Sequence, residues 1–85
     1  MIRLAPEVLE EMDEAIAWYN KRRPGLGNEL LTEVDRALGQ VERRPRSFPC
    51  LRDVPEDLTV RRAPLDRFPF ALVFLELQEG HARVI

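Results

Sequence analysis

The run Phe70-Ala71-Leu72-Val73-Phe74-Leu75-Glu76-Leu77 sets the strictest limit on how this chain folds. A strand sends successive side chains to opposite faces, and here both faces are apolar until Glu76. A strand of that kind is stable only when it is covered on both sides. The chain has 85 residues, and a domain of that size buries only about 60–65% of the surface its unfolded form exposes. One domain spanning 1–85 with one core is therefore expected, and two domains are excluded. Two helices cover at most one face of a small sheet. The other face is expected to meet a further segment, a second chain or the long connecting loop.

Two amphipathic helices precede the run. Leu9, Met12, Ile16 and Tyr19 recur at spacings of three and four, which predicts a helix from Pro6 to about Arg22 with that stripe buried. Pro6 suits the first turn, where its missing N–H is not needed, and Glu7, Glu10 and Glu11 match the positive end of the helix dipole. Lys21, Arg22 and Arg23 match the other end. Pro24-Gly25-Leu26-Gly27-Asn28 breaks the pattern, and Leu30, Val34, Ala37, Leu38 and Val41 restart it. A second helix is predicted over about Leu26–Arg43, forming a hairpin with the first.

Pro45, Pro49 and Pro55 then punctuate a connector, with Phe48, Leu51 and Val54 expected to pin it to the core. Alternating and β-branched residues predict strands over about Leu58–Ala63 and Phe70–Gln78, a turn at Glu79-Gly80, and a third strand over His81–Ile85. Ile2–Leu4 supplies a short first strand. The expected architecture is α+β, with an N-terminal helical hairpin packed on one face of a small antiparallel β-sheet.

Chemistry-bearing motifs are few. One histidine and one cysteine, with no glycine-rich phosphate loop and no nucleophile setting, argue against metal, nucleotide and nucleophilic enzyme classes, and no cofactor or metal is expected. Cys50 has no internal disulfide partner, and no run approaches the roughly 18 apolar residues of a membrane span. The N-terminus carries no secretory pattern, so a cytoplasmic protein without membrane contact is expected. Glu10, Asp13 and Glu14 fall on the polar side of the first helix and are expected to be a solvated face. His81 is expected to be a surface histidine beside the turn, although it is the only side chain that titrates near neutrality unperturbed.

Charge is unevenly divided. Residues 1–42 carry five basic and nine acidic side chains, a net −4, while residues 43–85 carry eight basic and six acidic, a net +2. In the second half Arg61, Arg62 and Arg67 form a candidate anion or partner site that Arg52 and Arg83 join if the sheet brings them together. Alternation sends Arg61 and Arg62 to opposite faces. Trp18, beside the main stripe, is a candidate partner anchor. Phe70 and Phe74, in the doubly apolar run, are candidate contacts on its uncovered face.

Several residue groups, taken in order, resemble the ParE branch of the ParE/RelE toxins of bacterial type II toxin–antitoxin pairs. They are Glu14-Ala15-Ile16-Ala17-Trp18-Tyr19, Arg23-Pro24-Gly25-Leu26-Gly27, Glu33-Val34, Pro45 with Pro49, and Arg61-Arg62-Ala63-Pro64-Leu65-Asp66-Arg67-Phe68-Pro69-Phe70. The resemblance spans nearly the whole chain. It implies a helical hairpin on an antiparallel sheet and a co-encoded antitoxin that wraps and neutralises the toxin. Members of the ParE branch act on DNA gyrase without a catalytic residue, whereas RelE-like members cut messenger RNA on the ribosome. Relatives usually continue the last strand into a His-Arg-rich, aromatic-ended tail, which is missing after Ile85. The expected function is a gyrase-inhibiting toxin. The alternatives are a RelE-like endoribonuclease and a non-toxic, antitoxin-binding remnant, and self-association is a further expected property.

Overall fold

A computed structural model describes residues 2–55, 57–77 and 81–85. Strand β1 (Ile2–Leu4) leads into helix α1 (Pro6–Arg22) and helix α2 (Leu26–Arg43). A short 3-10 turn at Pro45–Ser47 and an irregular connector follow, and then strands β2 (Val60–Pro64), β3 (Ala71–Glu76) and β4 (Ala82–Val84). Both helices occupy the spans expected from their patterns. The first strand has the expected bounds, the other three are shorter than expected, and the Glu79-Gly80 turn and Gln78 lie outside the described residues.

The helix limits have local causes. Pro6 opens α1, and the Arg23 N–H closes it on the Tyr19 carbonyl. Gly25 precedes α2 at φ 90°, a left-handed conformation that costs glycine nothing. Gly27 is buried where the helices meet: its N–H donates to Asn20 Oδ1 at 2.8 Å, and a Cβ there would run into the Ile16 carbonyl and the Asn20 side chain. The hairpin is tight because this position carries no side chain.

The α+β class holds, but the sheet is mixed rather than antiparallel. Its order is β1-β4-β3-β2, with β2–β3 and β3–β4 antiparallel and β1–β4 parallel. The reversal follows from connectivity. The hairpin separates β1 from the rest, and the meander returns β4 alongside it in the same direction.

The hairpin packs on one sheet face. Val8, Leu30, Val34, Ala37 and Val41 meet Ala63, Leu72, Phe74, Ala82 and Val84 in a single core, closed by Leu65 and Phe68. The buried stripe of α1 keeps Met12, Ile16 and Tyr19 as expected and differs at its first member, where Val8 replaces Leu9. Val8 is buried with Met12, Ala15, Ile16 and Tyr19 packed beside it, whereas Leu9 is 48% exposed. At about 100° per residue, Val8 lies nearer the centre of the Met12–Ala15–Tyr19 arc than Leu9 does. Among the described residues of the connector Phe48 reaches the core, edge-on to Phe74, while Leu51 is exposed. Pro49 and Leu51 instead hydrogen-bond along the free edge of β2, the Pro49 carbonyl accepting from Arg62 N–H and the Leu51 N–H donating to the Val60 carbonyl.

Candidate partner-binding face

Register and side-chain alternation decide which residues share the face that the helices leave open. Phe74 opposes Arg61 and Val84, and Leu72 opposes Ala63, so Arg61, Ala63, Leu72, Phe74 and Val84 all point toward the hairpin. Their neighbours Arg62, Val73, Leu75 and Arg83 point away from it. Leu75 opposes Val60 on one side and Arg83 on the other, and Arg83 in turn opposes Arg3 on β1. The ladder runs on to Thr59, whose carbonyl accepts from Glu76 N–H, and Leu58 and Leu77, just beyond the strand ends, are exposed. The outer face is thus an aliphatic band along β2 and β3, with Arg62 on one flank and Arg3 and Arg83 on the other.

Among the described residues these three arginines are exposed and make no ion pair. Val73 and Leu75 are half-buried, so the doubly apolar strand anticipated from the sequence is only partly shielded on this side. Exposed His81, two positions before Arg83, falls on the same face by alternation.

The arginines expected to cluster are separated. Arg61 turns inward, where its side chain is 15% exposed. It donates from Nε to Glu76 Oε2 at 3.2 Å and from Nη1 to the Phe48 carbonyl at 2.7 Å. Arg46 holds the other oxygen of Glu76 at 3.3 Å. This arrangement fastens the connector to the end of the sheet and turns Arg61, expected at a partner site, inward into contacts of the fold. Arg67 sits in the loop between β2 and β3, with Nη2 2.7 Å from Glu29 Oε1 on α2. Its own N–H donates to Glu33 Oε1 at 3.2 Å, and buried Glu33 also accepts from Arg36 Nε. These contacts seat the loop so that Leu65 and Phe68 enter the core. Arg67 is not part of the outer face. Of the three, only Arg62 lies there.

The hydrogen bond from Arg67 is the main reason that the Glu29 carboxyl is held below its ordinary value of 4.5; partial desolvation opposes it, and Arg23, 2.7 Å from the other oxygen, adds to it. The same bond raises the Arg67 guanidinium, and the hydrogen bond to Glu33 raises that of Arg36. Both are structural pairings.

The aromatic candidates divide in the same way. Phe74 is fully buried beneath the hairpin, a core residue rather than a contact, because its parity is that of Ala63 and Val84. Phe70 is 44% exposed at the rim of a 140 Å³ groove between α1 and the sheet, with its ring edge-on to Tyr19. Trp18 is half exposed on α1, where the Arg22 guanidinium lies 4.1 Å from its ring centroid. Trp18, on α1, is remote in the fold from the outer sheet face. Glu10, Asp13 and Glu14 are exposed, as expected of a solvated face. Arg3 was not anticipated because its place beside Arg83 depends on the register of distant strands.

Comparison with protein-family models, with curated proteins and with solved structures finds no match. No helix among the described residues is long and apolar enough to cross a membrane.

Proposed function

We propose that this chain is a ParE-like toxin component, a small protein that inhibits DNA gyrase by binding it and is itself neutralised by an antitoxin. The motif series from Glu14 to Phe70 is the ground for the family reading. The observation that carries the binding mechanism is the outer sheet face, where an aliphatic band is flanked by arginines with no acidic partner among the described residues. A face of this composition suits protein recognition, in which apolar contact and Arg anchors dominate. Inhibition by binding needs no catalytic group. The protein is accordingly read as cytoplasmic, with the antitoxin and gyrase as its partners.

A second reading, a ribosome-dependent messenger RNA endoribonuclease, draws on one observation: His81, Arg83 and Arg62 share the outer face. RNA cleavage without metal needs groups that move protons and stabilise a charged phosphorane-like transition state. His81 and the arginines are of the right type. Tyr19 and Lys21, the other candidates, are on α1 beyond the opposite face, which ranks this reading second.

The test is expression of the chain alone in bacteria carrying a DNA-damage reporter, with viable counts from the same cultures. Reporter induction with loss of viability is the expected result. Arrest with a silent reporter and new 5′ ends in ribosome-bound messages would transfer the assignment to RNA cleavage. Healthy cells would leave an antitoxin-binding protein without toxicity.

A further inference from the structure

Arg3 and Arg83 occupy the same row of the sheet. They are register partners on adjacent parallel strands, so their Cα atoms are about 4.8 Å apart and their side chains leave the same face. Like charges placed directly opposite one another on neighbouring strands destabilise a sheet. Neither arginine has an ion pair or a side-chain hydrogen bond among the described residues, and both are exposed. By contrast, Arg23, Arg36, Arg46, Arg61 and Arg67 each hold a carboxylate. An in-register arginine pair left without an anion, on a sheet this small, is a cost that the free chain bears.

We propose that Arg3 and Arg83 form a carboxylate clamp, which receives an acidic side chain from an amphipathic segment of a protein partner. The rest of that segment lies on the aliphatic band. Two guanidinium groups present parallel N–H donors that match the two oxygens of one carboxylate. Beside the clamp in the same row stands half-buried Leu75, with Val60 beyond it already covered at 5% exposure, and one row along is half-buried Val73, with Arg62 opposite it. The complementary segment therefore carries an acid at one edge, aliphatic side chains in the middle and a second acid about two strands away. Charge complementarity favours this occupant over a second copy, since joining two such faces would bring six arginines together. The side chains between the arginines, which are aliphatic, favour protein over nucleic acid. Single-stranded binding relies on aromatic platforms for the bases, and alternation places Phe74 on the opposite face. The proposal rests on reading the outer face as a partner surface, but it is independent of toxicity.

The experiment uses the full chain and its Arg3→Gln, Arg83→Gln and double variants, with Arg43→Gln as a control on α2. Melting temperature is measured first. The pair is then titrated with a labelled synthetic Leu–Glu amphipathic peptide, a Leu–Lys peptide of the same apolar pattern and an oligothymidylate. Each single variant is expected to melt about 1–5 °C higher than the parent as the like-charge contact is relieved. Each is also expected to bind the Leu–Glu peptide about tenfold more weakly, with the double variant losing less than the sum because one carboxylate is shared. The Arg43→Gln chain should match the parent in both respects. Failure to bind the Leu–Glu peptide, undiminished binding by both variants, or lower melting temperatures would overturn the clamp. So would preferential binding of the oligothymidylate, or a dimer of the parent chain that the same substitutions dissolve. Growth arrest bears on the toxin reading alone, so the two proposals can fail separately.

Discussion

Arg61 carries its charge into a partly buried site where every donor it uses has a named acceptor, while one residue later Arg62 points its guanidinium into solvent beside Val73. Truncating the two has different consequences. Arg61→Ala leaves the Phe48 carbonyl unmatched and Glu76, only 18% exposed at its side chain, with Arg46 as its remaining cation. Losing a charged hydrogen-bond partner at such a site costs about 1–3 kcal/mol. Arg62→Ala removes no interaction of the fold and is expected to stay within about 0.5 kcal/mol. Urea unfolding of the two variants checks this, and equal destabilisation would refute the division of roles. Alternation alone established that the two residues part company. Which of them faces the hairpin was not legible, because that depends on Arg61 pairing with Phe74 rather than with Val73. The same dependence hid Phe74: an aromatic in a run apolar on both faces has no local signal to say which side meets the helices. It also hid the pairing of Arg3 with Arg83, which are 80 positions apart in sequence and become neighbours only through the parallel β1–β4 pairing.

Helices were legible nearly to the residue, since their limits are written in local chemistry: Pro6 at one start, Gly25 before the next and the basic turns at the ends. The loop between β2 and β3 was not, because what holds it is a set of contacts to α2 thirty or more residues away. Those contacts have a pH signature. Glu29 is held below its ordinary 4.5 by Arg67 first and Arg23 with it. A carboxyl whose folded value lies below its unfolded one contributes stability that is fully present above the unfolded value and is lost as pH falls through the folded value. Arg67→Gln is therefore expected to be less stable than the parent at pH 7. The difference between the two should shrink as pH falls below about 4.5 and vanish once Glu29 is protonated in both states. Paired urea titrations at pH 7 and pH 3 measure it. A difference that persists unchanged at pH 3 would show that Arg67 acts through its contact with the Phe68 ring rather than through Glu29.

Across the whole molecule, the strand that decides closure is one of the two shortest. β1 contributes three residues, yet it is the element that turns a three-stranded meander into a mixed sheet and supplies half of the arginine pair. Ile2 and Leu4 pack against the core, and Ala5, immediately after, is buried with its N–H donating to the Val84 carbonyl. A domain of this size retains only a small margin of stability, so an edge of three residues matters more here than on a large sheet. Removing residues 1–4 withdraws two partly buried aliphatic side chains, worth about 1–2 kcal/mol each, and exposes the edge of β4. The shortened chain is expected to melt about 8–32 °C below the parent and to lose hydrogen-exchange protection first at Ala82–Val84, while α2 amides keep theirs until global unfolding. A fall of less than about 4 °C with β4 still protected would make β1 an appendage. The arginine pair would then sit on a mobile edge, and the strain argued for it would relax in the free chain. If instead the loss is large, the fold depends on a strand whose central side chain opposes a like charge, a combination that a bound anion relieves.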